Sequence, residues 1–346
     1  MIRSGSDRPG NRPLDGIRIV EAHSPDAPLD LRLAGALAGR IAADLGAAVS
    51  FSGPPPSRRD GLFAFLNAGK RWIPALRPDR SAADVAIVDD RLFAQGGLAK
   101  ADVTAVLSTF AAGAPAMPAS AFTVMALGGL LDIVGDPERE PLRLGGHQMA
   151  YAAGLAAYTG IAAALCGRGK RTSAEVVRVN MLDTAIWLNW KSAPVAGAGE
   201  PPPTRSGRAA EWQVLRCADG YVVLVYQEGD WAALKSLVGD PRLEAAHLET
   251  RPGRLMHLRE IAAIIEAAFM RHTRAEIRAR ALEKRLPLGP IWSPRELDRD
   301  EQTLARAFLC RMDEGMTLPR LPVLWSGRAF PPGAIPAVAI EAEALS

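Results

Sequence analysis

Residues 14–52 read LDGIRIVEAHSPDAPLDLRLAGALAGRIAADLGAAVSFS, and their punctuation decides the fold. Ile17-Arg18-Ile19-Val20-Glu21 alternates and is rich in β-branched residues, which predicts a strand. Leu29 to Leu45 is dense in Ala and Leu, with Asp30 near its start and Gly46 just past its end. An early acid and a C′ glycine predict a helix. Ala48 to Ser52 reads as a second short strand, and Pro54-Pro55-Pro56 then forces a loop. Ala83 to Val88 and Val103 to Ser108 read as two more buried strands. Strand, helix and strand joined by short connections is the grammar of a parallel sheet covered by helices, so the class is α/β.

Downstream, Gly145 and Gly146 precede a small-residue helix from about His147 to Cys166. Ala150, Gly154 and Gly160 within it let neighbouring backbones come close. Glu175 to Met181 reads as a strand. Ala193 to Arg208, with Pro201-Pro202-Pro203, reads as a linker. Beyond it, Trp212 to Arg216 and Gly220 to Tyr226 flank Asp219-Gly220, a hairpin signal. Leu255 to Met270 and Arg274 to Lys284 are amphipathic, the second opened by Thr273 as N-cap. Glu296 to Phe308 reads as a last helix, and the proline-rich tail from Leu318 as extended chain.

The 346 residues carry 41 basic and 38 acidic side chains, a net charge of +3. That balance argues against a dedicated nucleic-acid binder. Cys166, Cys217 and Cys310 are far apart, and five scattered histidines add no metal spacing, so neither a metal site nor a disulfide framework is expected. No run of about 18 apolar residues is read, so no membrane span is expected. Met1 to Pro13 reads as a loose polar tail rather than a signal peptide, and the expected compartment is the cytoplasm.

A βαβ start invites a dinucleotide reading, but the first turn, His23-Ser24-Pro25-Asp26-Ala27-Pro28, has no glycine and two prolines. Arg58, Arg59, Lys70 and Arg71 place four cations near the presumed ligand edge. They suit phosphates, or they are solvated surface charge. His147 is a proton carrier or simply a capping and packing residue. Asp132, Asp136, Glu138 and Glu140 read as solvated loop charges, and Trp187 and Trp190 as one packed helix face.

Taken in order, several segments resemble the family III CoA-transferases, also called the CaiB/BaiF family, whose relatives include α-methylacyl-CoA racemase. They are Leu14 to Val20, Ala43-Asp44-Leu45-Gly46-Ala47, Leu66-Asn67-Ala68-Gly69-Lys70-Arg71, Leu127 to Leu130 with Gly135-Asp136-Pro137, Pro141 to Leu155, Asp219 to Val222, and Pro287 to Pro290. The resemblance implies a Rossmann-like large domain built from both chain ends, a smaller α+β domain, and an interlocked dimer. On that pattern the chain divides into a tail (1–13), a large domain (14–195), a linker (196–210), a small domain (211–295) and a return to the large domain (296–346). It also implies coenzyme A or acyl-CoA as ligand or substrate, no covalently bound cofactor and no metal. Asn67, Lys70, Arg71, Arg58 and Arg59 would then meet the CoA.

The family's nucleophile is an aspartate that attacks the acyl thioester. Its motif runs here through Pro141, Arg143, Gly145, position 150 and Gly154, and position 150 is alanine. His147 through Ala162 contains no Asp or Glu. The racemase histidine falls near Ser120, and no histidine occurs between His23 and His147. The family's CoA-holding asparagine is replaced by Val88-Asp89-Asp90, acids expected to repel phosphate. Three readings follow. One is an active CoA-transferase that uses another nucleophile, with Glu140 as the substitute carboxylate, though by its residues the chain alone is expected to be weak or inactive. Another is the inert subunit of a mixed dimer, or an acyl-CoA-binding regulator. The third is an unrelated Rossmann-like binding protein.

Overall fold

The computed structural model describes residues 3–4, 12–53, 60–74, 83–96, 101–114, 117–170, 173–189, 195, 197–199, 205, 211–313 and 315–337. They fall into two compact units. The first draws on Met1–Leu131, Arg143–Pro202 and Arg299–Ser346, and the second on Asp132–Leu142 and Pro203–Asp298.

The first unit is built on six parallel strands. These are β1 (Arg18–Ala22), β2 (Ala48–Ser52), β3 (Arg71–Ile73), β4 (Val85–Asp89), β5 (Val103–Ser108) and β6 (Glu175–Asn180). Their spatial order is β3-β2-β1-β4-β5-β6, the order of doubly wound nucleotide-binding folds. The register puts Val20 beside Ser50 and Ala86. Every residue of β4 is buried, as a central parallel strand covered on both faces requires. The α/β class expected from residues 14–52 and the Rossmann-like sheet that the resemblance implies are present.

Helix α1 (Leu29–Asp44) follows β1, and α2 (Gly61–Asn67) precedes β3, capped by Asp60 accepting from Phe63 N–H. Short helices α3 (Asp90–Ala94) and α4 (Ala121–Leu127) follow β4 and β5. Helix α5 (Gln148–Gly167) and α6 (Met181–Leu188) bracket β6. With no charged residue in its 20, α5 is long and apolar enough to span a membrane by length and composition, which the sequence reading did not anticipate. Here Ala153, Ala157, Ile161 and Ala164 bury one face of it in the main core, beside Ile19, Leu31, Ala34, Ala38 and Leu107. Gly154 explains how close α1 and α5 come. A Cβ there would sit 2.6 Å from the Ala34 carbonyl oxygen and 3.0 Å from Leu37 Cβ.

The chain returns to this unit late. Leu318 shares a buried cluster with Ala64 and Ala68, and Phe330 shares one with Leu33, Leu37 and Leu66. Gly69 N–H donates to the Ala334 carbonyl at 2.8 Å. The predicted helix over Glu296 to Phe308 shrinks to α11 (Glu301–Ala305). Asp300 starts it, and Ser293 N–H bonded to Glu296 Oε2 makes a turn before it.

In the second unit, β7 (Gln213–Cys217) and β8 (Gly220–Leu224) form the expected hairpin. Cys217 pairs with Gly220, which puts Ala218-Asp219 at the turn. Strand β9 (Leu288–Pro290) completes the antiparallel sheet beside β8. Around it lie α7 (Trp231–Val238), α8 (Arg251–Met256), α9 (Leu258–Phe269) and α10 (Arg274–Glu283). Leu258, Ile261, Ala262 and Ile265 give α9 its inward stripe. The single predicted helix over Leu255 to Met270 is instead two, broken at His257 with φ −120° and ψ 23°. Thr273 and Glu276 form the reciprocal cap of α10. Residues 132–142 also belong here, tied by Arg205 Nη1 donating to the Asp132 carbonyl at 3.3 Å.

Candidate functional site

The strand order reverses direction between β1 and β4, and in open α/β sheets ligands gather outside the carboxyl ends at that point. A buried polar layer stands there. Asp89, last residue of β4, accepts from Ser24 N–H at 2.5 Å and Ser24 Oγ at 2.8 Å, and from Arg91 and Leu92 N–H at the start of α3. Burial pushes the Asp89 carboxyl up, but the Ser24 backbone and hydroxyl bonds outweigh it and hold it below the usual range. Asp89 is thus a buried cap of α3, while its neighbour Asp90 is exposed. His23, just past β1, is sealed, and neither ring nitrogen has a hydrogen-bond partner among the described residues. Burial drives its pKa down against the pull of Glu21 and Asp89, so the imidazole is neutral at pH 7. Sequence reading passed over His23, since one histidine in a turn carries no spacing signal.

The motif residues are placed differently from one another. Lys70 is enclosed, its Nζ 2.7 Å from Glu21 Oε2 and 2.7 Å from the Ala36 carbonyl. Burial lowers its pKa against the opposing Glu21 charge. Asn67 is buried too, its Nδ2 donating to the Phe63 carbonyl at 3.0 Å inside α2. Neither side chain offers a donor to an outside phosphate as placed. Arg71, on β3, is exposed. Arg58 and Arg59 lie outside the described residues.

A cleft of about 770 Å³ opens at the carboxyl ends of β4 to β6, lined by Asp90, Arg91, Ser108, Phe110, Arg178 and Asn180. Arg91 pairs with Asp26, and Arg178 lies over the Phe93 ring at 5.1 Å.

Ala150 is fully buried in an apolar cluster with Leu33, Ala36, Leu37, Ile41 and Leu66. It stands one turn before Gly154, on the face of α5 that meets α1. Glu140 belongs to the second unit and Ala150 to the first. It is solvent-exposed. Its own backbone N–H and the Arg139 guanidinium, 3.0 Å away, hold its carboxyl below the usual range. The carboxylate by the start of α5 is Asp30, which no motif pointed to. Its Oδ1 is 4.0 Å from His147 Nδ1, and its Oδ2 accepts from Ala121 N–H at 2.8 Å. His147 occupies the N-cap position of α5 without making the cap bond, its ring edge-on to Tyr151. Ser120 caps α4 through Thr123 N–H. Asp30 and His147 thus stand near one another, beyond hydrogen-bonding distance and partly open, where the N-terminal turns of α1, α4 and α5 meet.

The family model described as CoA-transferase family III matches residues 103–338, more than half of the chain. The chain is 25% identical to the succinate–glutarate CoA-transferase of Agrobacterium fabrum over 378 residues, spanning 93% of this chain and 92% of that one. It is 28% identical over 208 residues to the formyl-CoA:oxalate CoA-transferase of Streptomyces coelicolor, spanning 53% and 50%. Among solved structures, a CaiB/BaiF family protein from Brucella suis shares the fold, with a TM-score of 0.80 at 23% identity over 94% of this chain and 95% of that one. A parallel sheet in the order read above, with a family match running from its fifth strand to the late return of the chain, leads to one assignment: this chain belongs to CoA-transferase family III.

Proposed function

We propose that the protein binds acyl-CoA thioesters but cannot by itself run the aspartyl-anhydride cycle of its family. What supports the reading is that Ala150, the position the resemblance gives to the nucleophile, is closed in among apolar side chains on a helix with no carboxylate along its length. A methyl group has no lone pair with which to open a thioester. The cleft at the carboxyl ends of β4 to β6 supports the reading, with Arg178 in its lining as a phosphate partner, while the exposed Arg71 on β3 is a cation of the opposite edge of the sheet. Lys70 and Asn67 serve that edge from within, by fixing β1, α1 and α2. The assembly is a dimer, of two copies or with a second family member that supplies the missing aspartate, and the compartment is the cytoplasm.

A second reading rests on the Asp30–His147 pair: slow transfer through Asp30, with His147 orienting it. The test is transfer by the purified protein from succinyl-, formyl- and acetyl-CoA, alongside calorimetric titration with CoA. Micromolar-range binding with background turnover supports the first reading. Rapid turnover by the protein alone refutes it. A hydroxylamine-trapped adduct mapped to Asp30 or Glu140 by mass spectrometry identifies the substitute carboxylate.

A further inference from the structure

The second unit carries a cluster of two imidazoles and a carboxylate. His247, His257 and Glu260 bring one ligand atom each to within 4.8 Å of one another. Glu260 Oε2 is 3.1 Å from His257 Nδ1 and 3.6 Å from His247 Nε2. The two imidazoles sit 4.5 Å apart between centroids, at 59°. A tetrahedral zinc ion with ligands at about 2.1 Å separates its ligand atoms by about 3.4 Å, so these three donors nearly define one face of such a polyhedron. An ordinary surface ion pair accounts for one imidazole beside Glu260. It does not account for two aimed at the same oxygen.

The backbone beneath the cluster is fixed. Arg254, almost fully buried, donates from Nη1 to the carbonyls of Leu248 and Glu249 at 3.0 Å each, tying the turn after His247 to α8. Gly253 lets α8 pass against the His247 carbonyl, where any Cβ would collide. The break between α8 and α9 then turns His257 outward one helical turn from Glu260. His247 and Glu260 are exposed, which leaves an entry path and room for water as further ligands.

We infer that His247, His257 and Glu260 form a binding site for a divalent first-row transition metal, zinc(II) foremost, with its remaining coordination positions open to solvent. Two imidazoles and one carboxylate select such a metal over magnesium or calcium, which prefer all-oxygen shells. Closing the triangle needs only ring and carboxylate rotation, because the backbone already presents all three groups.

The test is calorimetric titration of the chelator-stripped full chain with zinc(II), and visible spectroscopy with cobalt(II). One tight equivalent is expected, with cobalt d–d bands and no thiolate charge-transfer band. His247→Ala, His257→Ala and Glu260→Gln should each raise Kd by about tenfold or more. Each change is at the surface, and circular dichroism checks that the fold persists. Binding that the three variants leave unchanged, a thiolate band pointing to Cys166 or Cys310, or less than half an equivalent overturns the assignment. None of these readouts uses CoA or transfer, so a failed acyl-CoA reading leaves this site standing, and the reverse.

Discussion

Helix α1 is buried on two sides that carry opposite chemistry. On one, Gly35 and Gly39 lie four apart and admit His23, Glu21 and Lys70. A Cβ at Gly39 would sit 2.5 Å from Glu21 Oε2, and one at Gly35 would sit 2.5 Å from His23 Nε2. On the other, Ala34 and Leu37 meet Gly154 and the turn holding Ala150. The first side keeps charge in the interior because each ion has a partner: Lys70 has Glu21 and a backbone carbonyl. The second is walled by Leu33, Leu37, Ile41, Leu66 and Phe330, with Tyr151 and Tyr158 packed against its margin. A buried charge survives where its hydrogen bonds are built in, so restoring one carboxylate does not restore its setting.

The sharpest way to break this contrast is Lys70→Met, which strands the Glu21 charge. We expect a loss of about 3–5 kcal/mol in urea unfolding, with most of it recovered in the Glu21→Gln/Lys70→Met double variant. If the double variant is as unstable as the single, the pair is not what holds that side. Next is Ala150→Asp, expected to cost about 3 kcal/mol at pH 8 and to gain no transfer. Its folded carboxyl would titrate above the unfolded value of about 3.9, so the deficit should be smallest in acid and grow as pH rises. Equal stability at pH 5 and pH 8, with new CoA transfer, would mean that the seam has donors after all.

Gly154→Ala should cost about 1–3 kcal/mol by forcing α5 off α1, read as a lower thermal midpoint. The smallest effect is one of pH. His23 titrates below its ordinary 6.5 because it is buried, so its contribution is complete above that pH and lost as pH falls through the depressed value. Asp44 tilts the other way. Burial raises it from 3.8 to about 6 despite Arg40, so its contribution is lost as pH rises over that span. The readout is therefore the difference between wild type and His23→Gln, whose acid-side loss should be shallower.

Strand β1, α1 and β2 were legible because alternation, an early acid and a C′ glycine are local signals. Thr273 was legible for the same reason. The α8–α9 break was not, because the apolar spacing continues through it and Arg254, which pins it, reads as surface charge. The last helix was overextended because a charge-rich segment hid the Ser293–Glu296 turn. For the site, the alanine at position 150 and the lack of carboxylates around it were visible in the chain. The interior fate of Lys70 and Asn67 was not, since a cationic motif looks alike whether it faces phosphate or Glu21. Asp30 and His147 lie 117 positions apart, and only the packing of α1 against α5 brings them together.

The return of residues 317–334 over α1 and α2 has a consequence during synthesis. Arg40, made early, finds the Pro319 carbonyl at 3.5 Å, and Gly69 waits for Ala334. A nascent chain stalled near residue 300 would have its whole central sheet and still show bare flanks to chaperones and proteases. A premature stop there is thus a clearance defect before it is a catalytic one, even though every residue discussed for chemistry has already been translated.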